Sequence, residues 1–131
     1  MDIDMIFLKA QFEALRDGYT SLLSTVFEHD EECDSKVWGA KYHLWKFERD
    51  ALSAFEKTDG LSSHEKEQIS HRRFQLQVLM DVAYIRGGLE GYGIPRIIDS
   101  YAAAQARQVF DQSDGSEETM LPLIDKLRSD S

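Results

Sequence analysis

At 131 residues the chain is of one domain's length, and its 42% apolar content supplies a core that a disordered acidic tail would lack. Fifteen Lys and Arg against 24 Asp and Glu give a formal charge of −9, a field that repels a phosphate backbone, so no direct nucleic-acid binding is expected. Eight Gly and two Pro are few breakers and favour long helices over a sandwich or barrel, while a single cysteine, Cys33, excludes an internal disulfide framework and fits a reducing compartment.

The first segment is acidic where a secretion signal is basic. Its longest apolar run, Met5-Ile6-Phe7-Leu8, is far too short to span a bilayer. The expected location is the cytoplasm, with no membrane contact. From Leu8 the apolar residues fall at Phe12, Leu15, Tyr19, Leu22, Leu23 and Val26. Those steps make one helical stripe and predict a first helix over about 4–28, with Asp2 or Asp4 favouring its dipole and Gly18 marking a possible close approach.

Glu28 to Asp34 breaks the pattern, and Asp34 or Ser35 can cap the next helix, over about 35–57. Its first stripe is Val37, Ala40, Leu44, Phe47, Ala51, Ala54 and Phe55. Asp59-Gly60 supplies the stop. Ser62 and Glu65 have the spacing of a capping box and open a third helix, over about 63–86, that Gly87-Gly88 ends. Four glycines between 87 and 93 mark a loop. Pro95 fits the first turn of a fourth helix over about 95–112. Asp114-Gly115-Ser116 breaks it, and Pro122 restricts the tail to a short helix over about 120–128. No run alternates at period two. The expected fold is therefore all-α: one domain over 1–131, an antiparallel four-helix bundle with a short C-terminal fifth helix.

The second and third helices carry more apolar surface than a simple bundle helix needs. Trp38, Tyr42, Trp45 and Leu52 form a second stripe on one, with Lys41 and Glu48 between the stripes. The other has Ile69, Leu76, Leu79, Met80, Ala83 and Tyr84 on one side and Phe74, Val78, Val82 and Ile85 on the opposite side. Either each helix touches two neighbours inside the bundle, or one face stays open for a second copy or a partner. The eight residues Trp38, Tyr42, Trp45, Leu52, Phe74, Val78, Val82 and Ile85 are the candidate partner or dimer interface, because Trp and Tyr dominate interface energetics.

No catalytic constellation stands out. His64, Glu67 and His71 share a helix face, but Lys66, Arg72 and Arg73 oppose a cation there, and the Glu-x-x-His and His-Glu-x-x-His patterns are missing. The acidic run Glu28–Asp34, with His29, lacks the spacing and glycine of a calcium loop. Cys33 has acidic flanks that disfavour a thiolate. The Gly-rich loop lacks any phosphate-binding pattern. Asp81 lies in a seam of the most apolar helix and calls for a hydrogen bond or an Arg partner. No metal, no cofactor and no enzymatic activity is expected.

Charge is uneven. Residues 1–34 hold nine acids against Lys9 and Arg16, a net of −7; residues 111–131 hold six against Lys126 and Arg128, a net of −4. Such ends attract a basic protein, with Asp30, Glu31 and Glu32 as steering charges. The expected function is a small acidic protein-binding module, a homodimer that inhibits or regulates another protein in the manner of an immunity protein, antitoxin or anti-activator. The alternatives are an export chaperone for an effector, and an enzyme or metal-binding bundle using the His64, Glu67 and His71 face.

Overall fold

The computed structural model describes residues 3–14 and 33–130. These residues form α1 (3–14), α2 (Cys33–Glu56), α3 (Ser63–Gly87), a 3-10 turn (Leu89–Tyr92), α4 (Ser100–Gln112) and α5 (Glu117–Asp130), with no strand among them. No helix among the described residues is long and apolar enough to cross a membrane.

The architecture follows from α3. Ile69, Leu76, Val78, Leu79, Met80, Val82, Ala83 and Tyr84 are buried although they lie on opposing sides of the helix. A helix apolar on both sides must be enclosed, and α3 packs against α2, α4, α5 and the 3-10 turn. Its start is fixed by the expected capping box: the Ser62 Oγ accepts from the Glu65 amide at 3.1 Å, and the Ser62 amide donates to the Glu65 carboxylate at 3.0 Å. Its end is fixed by Gly88, whose φ of 59° is left-handed.

Gly87 is a point of close approach. A Cβ built on it would lie 2.8 Å from the Trp38 Cβ of α2 and 3.0 Å from a Leu89 methyl. The hydrogen atom of this glycine lets the α2 and α3 backbones come together.

Four local expectations are corrected. In α1 the buried face is Ile6, Ala10 and Ala14, with Ile3 and Phe7 packed on the core, while Leu8 and Phe12 are 60% and 63% exposed. The large residues of that stripe therefore face outward over the described turns, and two alanines provide a close contact with the core. The remainder of the span expected for the first helix, with Leu15, Gly18, Tyr19, Leu22, Leu23 and Val26, lies outside the described residues. The fourth helix starts at Ser100 and not at Pro95. The Asp99 carboxylate accepts from the Ala102 amide at 2.7 Å and makes Asp99 the N-cap. The β-branched pair Ile97-Ile98 is a weak helix former, and residues 94–99 run without regular structure. The fifth helix starts at Glu117 and takes Pro122 into its interior. Ser116 begins it by accepting from Met120 through its carbonyl and from Thr119 through its hydroxyl. The second helix, too, starts at Cys33, which places the expected caps Asp34 and Ser35 inside it.

The turn before α5 is held by Asp114. Its carboxylate accepts from the Thr119 hydroxyl at 2.6 Å and from the Ser116 amide at 2.8 Å. The Thr119 and Ser116 bonds hold the carboxyl at about 2, below its ordinary 3.8. A depressed carboxyl adds stability above the unfolded-state value that is lost as pH falls through the folded-state value. Between pH 4 and pH 2, wild type should thus lose more stability than Asp114→Asn does. Parallel acid titrations followed by far-UV dichroism check this, and equal slopes for the two proteins would disprove it.

Candidate functional site

The eight candidate interface residues turn inward. Tyr42, Trp45, Leu52, Val78 and Val82 are buried, and Trp38, Phe74 and Ile85 are half-buried against the same core. The surplus apolar arc of α2 and α3 is thus used inside the fold, because α3 has neighbours on all its apolar sides. Trp38 meets Phe110 of α4 edge to face, with ring centroids 5.8 Å apart. Lys41 covers the Trp38 ring and the Arg86 guanidinium covers Phe110, 4.1 Å from its centre. This ladder of cation, ring, ring and cation ties three helices together. Asp30, Glu31 and Glu32 lie outside the described residues.

Polar residues between the stripes hold the helices in register. Glu48, 7% exposed, takes both forks of Arg72: Nε donates to Oε2 at 2.6 Å and Nη2 to Oε1 at 3.1 Å. Nη2 also reaches Glu117 of α5 at 3.2 Å. Burial lowers the proton affinity of Arg72, and the hydrogen bond and charge of Glu48 more than reverse that, so its pKa stands above the ordinary value. Lys41, which shares with Glu48 the seam between the stripes, sits on Trp38. Beside this pair, His71 and Gln75 both hydrogen-bond Asp125 of α5, at 2.7 and 2.8 Å. Burial pushes the Asp125 carboxyl up, and these two bonds bring it below its ordinary value. Glu67 pairs with Arg128 at 2.6 Å. The face considered for a metal is therefore where α5 docks, with His64 exposed at its edge. Among the described residues no three His, Cys, Asp or Glu side chains gather as a metal would need.

Asp81 has the Arg partner its position requires. Arg96 Nε donates to it at 2.7 Å, and the guanidinium also reaches the Gln77 side chain. Burial nevertheless outweighs Arg96 and leaves the Asp81 carboxyl above its ordinary value. The Tyr84 hydroxyl donates to the Ile94 carbonyl at 2.7 Å. Segment 94–99 is thereby fastened to α3 at two points and to α4 by the Asp99 cap.

The fastened segment presents Ile97, which is 100% exposed, and the start of α4 presents Tyr101, 70% exposed. Ile97 borders a groove of about 490 Å³ between α3 and α4 whose other walls include Ile85, Ile98, Arg96 and Arg107. Sequence patterning missed this surface because the segment has no period. The signal available was the pair Ile97-Ile98 between a proline and a capping Asp. A second, smaller cavity lies between the first turns of α2 and the 3-10 turn.

No protein-family model, curated protein or solved structure matches the chain.

Proposed function

We propose that the chain is a small acidic protein-binding module that acts by occupying the surface of another protein. The observation that carries this reading is Ile97: a fully exposed isoleucine on a segment fastened by Arg96–Asp81 and Tyr84–Ile94. The two fastenings, with the Asp99 cap, already hold the backbone on either side of Ile97, so a partner that covers it has little more than the side chain to order. Tyr101 beside it is of the residue type that anchors interfaces. Inhibition or regulation is the expected result of such coverage, and a basic partner would be steered by the acidic ends of the sequence.

In this reading the helices form an antiparallel bundle around α3. Pairing with a second copy would use the outward face of α1, Met5, Leu8 and Phe12, since Trp45 and Val78 are buried.

The test is copurification from the native host with wild type and with the double variant Ile97→Asp, Tyr101→Ser. The expected result is one stoichiometric protein held by wild type and lost by the variant, with far-UV spectrum and thermal midpoint unchanged. Wild type free of any partner, or a partner retained by the folded variant, overturns the reading. An export chaperone would instead release an unfolded chain, visible by its protease sensitivity.

A further inference from the structure

We propose that the groove between α3 and α4 takes an extended segment of a partner protein that sets a single carboxylate between two apolar side chains. This rests on the docking reading and names what that surface recognises. The groove of about 490 Å³ beside Ile97 adjoins a cavity of about 210 Å³, and Ile85 and Arg107 line both. Together they follow α4 from Ala103 to Asp111, about 12 Å at a helix rise of about 1.5 Å per residue. That is the length of about four extended residues.

The path offers apolar surface on both sides of a cation. Ile97 and Ile98 border the larger cavity, Val82 and Phe110 the smaller, and Arg107 stands at the junction. Arg107 is exposed, and among the described residues it has no ion pair and no hydrogen bond. The other arginines of the walls are taken: Arg96 is held by Asp81, and Arg86 lies over the Phe110 ring. Arg107 is thus left for a partner, and a guanidinium matches a carboxylate through two parallel hydrogen bonds. Glu90 borders the larger cavity and Asp111 the smaller, and both are exposed. They repel further acids and favour bases on either side of that carboxylate. One acid in basic surroundings also agrees with a partner attracted by the acidic ends of the chain.

The walls are in place before binding. Asp99 caps α4, the Tyr84 hydroxyl donates to the Ile94 carbonyl, and Ile98 is packed on the core. Docking therefore orders the partner's segment and little of this chain.

The experiment is a titration of the ¹⁵N-labelled full chain with the blocked peptide Lys-Leu-Glu-Phe-Lys and with versions that carry Gln or Lys at the centre. The Glu peptide should give saturable shifts at the Gly88, Ala103 and Arg107 amides, with a dissociation constant on the order of millimolar for a short flexible ligand. The Gln peptide should bind about fivefold more weakly, the upper range for a pair at a surface. Arg107→Gln should erase the difference between those two, and Arg107→Glu should reverse the order so that the Lys peptide binds best. Both variants should keep the wild-type far-UV spectrum. Equal binding of the Glu and Gln peptides by wild type, shifts confined to other surfaces, or no saturation overturns the proposal. A partner that copurifies through Ile97 and Tyr101 while the Glu peptide fails to bind would leave the docking reading standing and overturn this one alone. Absence of any partner would overturn both.

Discussion

Glu48→Ala is expected to lower the free energy of unfolding by about 3 kcal/mol, as removal of one member of a buried pair does. The change deletes the carboxylate that holds both forks of Arg72. The guanidinium side chain, 18% exposed, then keeps only the more exposed Glu117 and the Gln75 side chain. An under-compensated charge among packed helices is the expensive outcome, and the pair itself is not a large net gain. The double replacement Glu48→Leu, Arg72→Met should therefore recover most of the loss. Urea denaturation of the three proteins measures both differences. A loss below about 1 kcal/mol for the single variant would mean that solvent screens the pair as it does at a surface.

Gly87→Ala is the second large effect, and its sign runs against helix propensity. Alanine in a helix is worth up to about 1 kcal/mol over glycine. Here the new methyl meets the Trp38 Cβ at 2.8 Å, and that atom is fixed to the α2 backbone. The two helices must move apart, and overpacking of this kind costs about 1–3 kcal/mol. The net expectation is destabilisation together with a change in Trp38 emission, since its ring contact with Phe110 depends on the same spacing. Gly115 makes a useful comparison: its added Cβ would meet only the far edge of the Phe110 ring at 3.2 Å, though its φ of 87° adds strain. A Gly87→Ala protein as stable as wild type, with unchanged emission, would show that the helices are not held by this contact.

Much of α2 and α3 was legible because their signals are local. Ser62 with Glu65 announces a capping box, Gly87-Gly88 a left-handed stop, and Asp81 on an apolar helix the need for an arginine. The two-sided apolar pattern of α3 correctly marked it as unusual. What periodicity could not say was where its second side goes, because that depends on how α2, α4 and α5 come to surround it. The face of α1 was misread for a related reason. Large residues at Leu8 and Phe12 outweigh Ala10 and Ala14 in any hydrophobic count, yet small side chains permit the closest packing. The Arg72 network was hidden because Glu48, Arg72 and Glu117 lie on three helices, and spacing along the chain reveals only partners on one. Ile97 was hidden because an irregular segment has no period to read.

The partition of contacts also bears on how the chain acquires its structure. α2 and α3 are joined by a short turn and share the densest packing, whereas α4 and α5 meet α3 through smaller surfaces. Contacts close in sequence form quickly, so the α2–α3 hairpin is the natural nucleus, with α4 and α5 docking afterwards. The reverse order applies to opening: detachment of α4 and α5 would uncover Val82 of α3 and Ala106 and Val109 of α4 while the hairpin persists. Newly synthesised or transiently opened molecules would then carry a sticky apolar flank, and the Arg96 and Asp99 fastenings are the latches that keep that flank shut.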